Sequence, residues 1–197
     1  MIVTSGIIKM NLKQYSNQNT KLAREIKKGK YFKIINGLYE TDPKTSGYLL
    51  AGCIYGPSYL SFDFALSYYD LIPERVVNYT SATFNKKKKK EYCTNFGTFF
   101  YRDVPSEVYP YGIKIIKEGE YYYQIATPEK AMCDKLYTIS PMDNIKDLES
   151  LLVDDLRIER EDLKKLNYTD VGYIEKLYHC RNVTLFKKYL ERLGKEK

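Results

Sequence analysis

Hydrophobic positions near the start of the chain recur with the period of an α-helix over residues 21–28. Asn19 or Thr20 is the expected N-cap of this helix, and Gly29 supplies the left-handed residue that commonly ends one. The opposite face of the same segment is basic. The apolar face consists of Leu22, Ala23 and Ile26.

Two short apolar runs, residues 30–35 and 38–40, follow this helix, and the dipeptide Asn36-Gly37 separates them. Asn-Gly between apolar runs predicts a β-hairpin with a type I′ turn, because that turn needs positive φ at both central positions. A short basic helix that leads into a hairpin is the second half of a winged helix-turn-helix. In that module the helix enters the major groove of DNA and the hairpin lies along the backbone or minor groove.

A second unit begins after the polar, turn-rich linker at residues 42–47. Short helices are predicted at residues 48–55 and 62–69, with Gly56-Pro57 between them and Ser61 as the second N-cap. Runs with the composition of strands, three or four of which fit one antiparallel sheet, lie at residues 75–84, 92–101, 111–117 and 120–126.

The period becomes helical again at Thr127, a capping residue that Pro128 and Glu129 follow. This first helix should reach about residue 137. Further helices are predicted near residues 143–153, 160–166, 170–180 and 183–193.

These elements predict an α+β protein in two parts. Residues 1–42 form a short winged-helix-like head, and residues 46–197 form an α+β domain whose antiparallel sheet is followed by a helical C-terminal part. Only residues 1–20 precede the predicted recognition helix, which leaves room for one helix and a turn or for two very short helices.

Charge is distributed unevenly along this pattern. The 197 residues include 32 Lys and Arg against 25 Asp and Glu, a net charge of +7. Residues 1–40 hold eight basic and two acidic side chains, so +6 of this charge lies in the head. Such an excess favours a polyanionic partner, either nucleic acid or an anionic membrane surface, and a solvated face is the structural alternative.

The head is accordingly the candidate DNA-binding site, and binding through its cations should weaken with rising salt. Base or phosphate contacts are expected from the helix residues Lys21, Arg24, Lys27 and Lys28. Phosphate contacts are expected from the hairpin residues Lys30, Lys33 and Asn36.

A second basic segment joins the first two predicted strands. It is either a further phosphate contact or, the favoured interpretation, a flexible solvated loop, because lysine is a point charge suited to non-specific backbone contact. Its residues are Lys86, Lys87, Lys88, Lys89 and Lys90.

Catalytic chemistry is not indicated, so we expect neither an enzyme nor a cofactor or metal site. His179 is the single histidine, and the four cysteines form no CxxC pair. Glu129 and Asp134 are five residues apart, about 140° around one helix, so they cannot act as a carboxylate pair. The lysine that follows each, Lys130 and Lys135, suggests surface ion pairing or contact with the sheet. The 21 tyrosines favour core packing over base stacking.

Several segments, in this order, resemble AbiEi-type antitoxins, the transcriptional regulators of type IV toxin–antitoxin (abortive infection) systems. The resemblance covers roughly residues 22–138. The matching segments are residues 22–29 and 37–39, 56–62 with Ala65, Leu66 and 71–74, then 80–83, 96–102, and 126–131 with Asp134.

The resemblance implies a bacterial antitoxin of phage defence that binds operator repeats, inverted or direct, and represses its own operon. It implies a nucleotidyltransferase-like toxin as functional partner without a stable complex, and it leaves a homodimer open. By position it places Lys21, Arg24, Lys27 and Lys28 on the recognition helix and Lys33 and Asn36 on the wing. No catalytic residues come with it. The head of this family usually has two further helices before the recognition helix, so the resemblance implies that the head formed by residues 1–42 is trimmed.

Two other functions stay open. The chain is alternatively a protein-interaction module that restrains a toxin through its tyrosine-rich domain and carries a vestigial DNA-binding head. The third possibility is a metal-dependent nuclease built from scattered carboxylates, which no spacing supports. No stretch is long and apolar enough to span a bilayer, and the first residues lack a signal-peptide pattern, so we expect a cytoplasmic protein without a membrane partner.

Overall fold

The computed structural model of the chain describes residues 1–195. Residues 196 and 197, the last two of the second predicted domain, lie outside the described part. The strands are β1 (Ile2–Thr4), β2 (Phe32–Ile35), β3 (Leu38–Glu40), β4 (Tyr59–Leu60), β5 (Tyr79–Thr83), β6 (Lys90–Thr94), β7 (Gly97–Asp103), β8 (Ile113–Glu118) and β9 (Tyr121–Ala126).

The helices begin and end close to the predicted positions in the second part of the chain. They are α1 (Ser5–Asn11), α2 (Gln18–Lys27), α3 (Ala51–Ile54), α4 (Phe62–Tyr68), α5 (Pro128–Tyr137), α6 (Ile145–Ser150), α7 (Arg160–Lys165), α8 (Tyr168–Tyr178) and α9 (Arg181–Leu193). A 3-10 turn at Gly47–Leu49 precedes α3, and a π-helical turn at Leu151–Asp155 extends α6.

The predicted α+β class is confirmed. The larger sheet has six strands in the order β6-β7-β5-β4-β9-β8. Three neighbouring pairs are antiparallel, whereas β4–β9 and β5–β7 are parallel. These parallel contacts had not been anticipated. One arises because β4, only two residues long, lies at the centre of the sheet between β5 and β9. The other arises because β6 forms the outer edge, and the chain then turns back so that β7 lies beside β5.

The run at residues 92–101, predicted as one strand, contains a chain reversal between β6 and β7. The hydroxyl of Thr94 closes this turn, since it accepts a hydrogen bond from Phe96 N and donates one to Gly97 O, each at 3.0 Å. Gly97 has a φ of +118°, and a Cβ atom there would lie 2.7 Å from the ring of Tyr79. The aromatic composition of the run concealed this reversal.

The head consists of β1, α1, α2 and the hairpin β2–β3, and its three strands form a sheet in the order β1-β3-β2. Of the two arrangements allowed before the recognition helix, residues 1–17 adopt one helix, and a short strand precedes it. A small apolar cluster holds the two helices against the sheet. It consists of Val3, Ile8, Leu12, Leu22 and Tyr39.

The hairpin forms at Asn36-Gly37, but its turn is not the predicted type I′. Only Gly37 has a positive φ, +84°. The strand pairing shifts register between Lys33 and Ile35. A bulge of this kind increases the local twist of the two strands, so the hairpin does not need the mirror-image turn of type I′. The amide of Ser5 donates to Gly37 O at 2.8 Å, which fixes the turn against the start of α1.

Helix α5 lies at the centre of the body, the part of the chain after the head. As predicted, the side chain of Thr127 caps it, and Pro128 occupies its first turn. The inner face packs against α4, α8, α9 and the sheet. Its fully buried apolar residues are Ala131, Met132, Cys133 and Leu136.

A charged pair, Lys130 and Asp134, occupies the same buried face of α5. The sequence suggested surface ion pairing or contact with the sheet for Lys130. Surface pairing was wrong, because both side chains are 0% exposed and their Nζ and Oδ1 atoms are 2.7 Å apart. Contact with the sheet is found, since Lys130 Nζ lies 5.3 Å from the ring centroid of Tyr59 on β4. Lys130 and Asp134 are four residues apart on α5, so both side chains point toward β4. Polar groups at and next to β4 form some of the remaining hydrogen bonds.

Three hydroxyl groups from distant segments complete this charged pair. Tyr59 of β4 and Ser61 donate to Asp134 Oδ2 at 3.0 and 2.6 Å. Tyr178, at the end of α8, accepts from Lys130 Nζ at 2.6 Å and donates to Asp134 Oδ1. Burial, followed by the Asp134 charge, raises the pKa of both tyrosines well above the usual value for a phenol, so both hydroxyls stay protonated and available to donate.

We expect Lys130→Met to destabilise the protein by about 3–5 kcal/mol, because the Asp134 carboxylate would stay buried without its counter-charge. Urea unfolding followed by circular dichroism measures the change. The double variant Lys130→Met/Asp134→Leu should regain part of the loss, and Lys164→Met on exposed α7 is the matched control. Equal stability of Lys130→Met and the control would show that the buried pair is dispensable.

Candidate nucleic-acid interface

Helix α2 begins earlier than the sequence predicted. Its N-cap is Asn17, whose side-chain oxygen accepts a hydrogen bond from Thr20 N at 3.0 Å. Asn19 and Thr20, the expected caps, lie in the first turn instead. Asn and Thr both suit the N-cap position, so the residue at which α2 begins depends on the path of the loop that follows α1. The predicted end is confirmed, since Gly29 has a φ of +73°.

The apolar face of α2 is narrower than expected. Leu22 is buried in the head cluster and Ile26 packs against that cluster, whereas Ala23 is exposed. The contact with the sheet therefore uses one residue per turn and leaves most of the helix surface to solvent.

Three predicted DNA-binding residues, Arg24, Lys27 and Lys28, are exposed on this free surface. Their spacing of three and four residues places them on one side of the helix. Within residues 1–195, Arg24 and Lys27 donate no side-chain hydrogen bond and form no ion pair. Lys28 helps to lower the pKa of Glu25, after the larger effect of the Lys21 hydrogen bond. These cations are accessible to an external anion.

Lys21 differs from its neighbours on α2. Its Nζ atom lies 2.9 Å from a carboxylate oxygen of Glu25 and 4.6 Å from the ring centroid of Tyr15. The hydrogen bond to Glu25 raises the pKa of Lys21. This side chain has partners inside the head, so it is less available to DNA than the other three.

The wing residues Lys30, Lys33 and Asn36 are all exposed. The wing itself is short, because Thr4 of β1 pairs with Leu38 directly beside the turn. The hairpin therefore ends level with β1 and does not project beyond the rest of the head. Phosphate contacts from these three residues would come from a compact surface and not from an extended arm.

The inner side of the wing packs against the body. Ile34 is 4% exposed and belongs to the main hydrophobic core. Phe32, Ile35 and Leu38 pack on the same core, and β2 lies beside β6. The predicted boundary at residues 42–47 thus separates two units that share packed side chains, which fixes α2 relative to the larger sheet.

The first residues of the lysine run have partners in the body. Lys86 Nζ donates to Gly56 O at 3.0 Å and lies 5.1 Å from the ring centroid of Tyr55. The backbone amide of Lys87 donates to Asp103 Oδ2 at 2.7 Å. Lys87, Lys88 and Lys89 are exposed and Lys90 begins β6, so a solvated loop and a further phosphate contact both stay predictions for this run.

One polar group that the sequence did not single out is Arg102 on β7, which lines a cleft with Lys135 and Asp63. No local signal marks it, because the cleft is created by the register of three strands and by the ends of α4 and α5. Lys135, expected to form a surface ion pair or to contact the sheet, forms an ion pair with Asp63 at 2.5 Å.

Comparisons with known proteins add no family to this geometry: no family model matches the chain, and no curated protein was found to be similar. Among the described residues, no cluster of three or more His, Cys, Asp or Glu side chains is placed to hold a metal ion. Nor does any helix within residues 1–195 have the length and apolar character needed to cross a bilayer.

The two competing caps of α2 lead to opposite expectations. Asn17→Ala should destabilise the helix by about 1 kcal/mol, because the amide of Thr20 loses its acceptor. Asn19→Ala should leave the helix unchanged or slightly more stable, since alanine is the better helix former. Amide hydrogen exchange of residues 21–27 measures both. Faster exchange in Asn19→Ala alone would show that Asn19 is the N-cap, as the sequence predicted.

Proposed function

We propose that this protein is a DNA-binding autorepressor whose head reads operator DNA with α2. The observation that supports it is the exposed group Arg24, Lys27 and Lys28 on a helix that packs against a three-stranded sheet. Strand, two helices and hairpin follow one another in the order of a winged helix-turn-helix.

The residue types suggest separate tasks along α2. Arg24 is suited to bidentate contact with guanine in the major groove, while Lys27 and Lys28 are suited to phosphates as point charges. Asn19, in the exposed first turn, adds an amide of the kind that pairs with adenine. Lys30 and Lys33 would anchor the backbone from the wing.

We further propose that the protein is an antitoxin of a type IV toxin–antitoxin system and counteracts a nucleotidyltransferase-like toxin. The support is the resemblance of five segments, in register, to AbiEi-type antitoxins, together with a head and body in the expected order. Protein–protein contact with the toxin is not required by this proposal.

DNA binding is tested by fluorescence anisotropy with a labelled duplex from the promoter region of the protein's own operon. Lys27→Ala/Lys28→Ala should weaken binding at least about tenfold and lower the slope of log affinity against log salt by about 2, one unit for each lost phosphate contact.

The matched control is Lys164→Ala/Lys165→Ala, which removes the same charge from α7. It should bind like the parent protein. An unchanged affinity in the α2 variant, or an equal loss in both variants, would mean that the head does not read DNA.

A second candidate, the protein-interaction module, is favoured by one observation. Ile115 of β8 and Tyr122 of β9 are 69% and 66% exposed, which is unusual for large apolar side chains on neighbouring strands. Such a surface suits a protein partner better than DNA.

Co-expression with the neighbouring toxin gene separates the two functions. If the main proposal holds, Lys27→Ala/Lys28→Ala abolishes repression of a promoter fusion but still rescues growth, and the toxin does not co-purify with the antitoxin. Stable co-purification that Ile115→Lys/Tyr122→Lys abolishes, with no repression by the parent protein, would instead establish the interaction module.

A further inference from the structure

A cleft in the body lies on the face of the larger sheet that carries Phe100 and Arg102 of β7. Its volume is about 430 Å³, within the range of sites that bind small organic ligands. Phe62 and Asp63 at the start of α4 border one side, and Lys135 near the end of α5 borders the same side. All of these residues belong to the body and none to the head.

Strand register brings three kinds of side chain together here. Glu91 of β6 and Phe100 of β7 are direct cross-strand partners, and Thr80 of β5 is the partner of Phe100 on the other side. Arg102 comes two residues after Phe100, so the two side chains point to the same face of the sheet. A cation, an aromatic ring and a carboxylate are therefore within reach of one small molecule.

Arg102 is the one guanidinium among the side chains that line this cleft. It is half-buried, and no residue among 1–195 accepts a hydrogen bond from its guanidinium or forms an ion pair with it. A guanidinium carries five donors, and removing them partly from water is unfavourable unless an acceptor replaces the water. Lys135 differs, because Asp63 neutralises it at 2.5 Å.

We propose that this cleft binds a nucleoside phosphate. Arg102 binds a phosphate group through its paired donors, and exposed Lys89 adds a second positive charge at the rim. Phe100, which is half-buried, packs against the base or the ribose, and the buried Phe62 lines the cleft beside it. Glu91 accepts hydrogen bonds from the ribose hydroxyls, as acidic residues do in dinucleotide sites.

The carboxylate distinguishes this ligand from a simple anion. Inorganic phosphate or pyrophosphate would use the cations alone and would be repelled by Glu91. The volume fits one nucleoside phosphate, and the acidic rim residue disfavours a nucleic-acid strand with a phosphate at every step. The site is separate from α2, so its ligand and DNA bound by α2 do not compete for the same residues.

Isothermal titration calorimetry of the full chain with unlabelled ATP and GTP, each to about 1 mM, tests the proposal. At least one should bind saturably. Arg102→Gln should weaken this binding about tenfold or more, the loss expected for one charge-assisted hydrogen-bonding group. The matched control is Arg160→Gln on α7, and both it and Lys27→Ala/Lys28→Ala should bind like the parent protein.

A second variant tests the carboxylate. Glu91→Gln should weaken nucleotide binding while pyrophosphate binds as well as before or better. Thermal unfolding confirms that each variant folds, and Lys89→Gln, at an exposed position, gives an independent loss if Arg102→Gln does not fold. Three results would overturn the proposal: no saturable heat with either nucleotide, equal binding by Arg102→Gln and its control, or displacement of bound ATP by a short oligothymidylate that binds more tightly.

Discussion

Burial of the Lys130–Asp134 pair is the constraint on which the body depends. A charge at 0% exposure is tolerated only with a counter-charge and a full set of hydrogen bonds. Tyr59 and Ser61, at β4 and the start of α4, and Tyr178, at the end of α8, supply those bonds. The pair therefore fixes the central strand β4, the start of α4 and the end of α8 relative to α5. Residues 56–62 and residues 126–131 with Asp134, two of the segments on which the proposed antitoxin function rests, meet at this point, so their residue types have a structural cause that is independent of any family.

The same body determines how the head is presented. Ile34 joins the main core while Leu22 and Tyr39 form the small cluster of the head, so the hairpin β2–β3 is packed on both sides. As a result α2 has a fixed orientation, with Arg24 and Lys27 directed to solvent. The positive charge of the head is thus held on a rigid surface. In the proposed function, such a surface suits recognition of one DNA geometry better than loose association with any polyanion.

Local signals were enough for much of this architecture. Thr127 and Pro128 predicted the start of α5, Asn36-Gly37 the hairpin, and the helical period the C-terminal helices, because each depends on residues close in sequence. What the sequence could not predict depends on distant partners. A two-residue strand such as β4 has no period, and the burial of Lys130 requires Tyr59 and Tyr178. In the candidate DNA site the exposed cations of α2 were predicted, whereas the internal pairing of Lys21 and the short reach of the wing followed only from packing.

The position of Ile34 also bears on how this protein can be divided and recombined. A unit of about 40 residues without disulfide or metal seldom buries enough apolar surface to fold alone, and the head has only five residues in its own buried cluster. The head depends for its stability on the core beneath the hairpin. A fragment cut at the linker would therefore unfold once it is separated from the body. The head is therefore not an independently folding unit that can be exchanged between proteins. Any gene fusion that transferred it to another protein would also have to transfer the surface on which Ile34 rests.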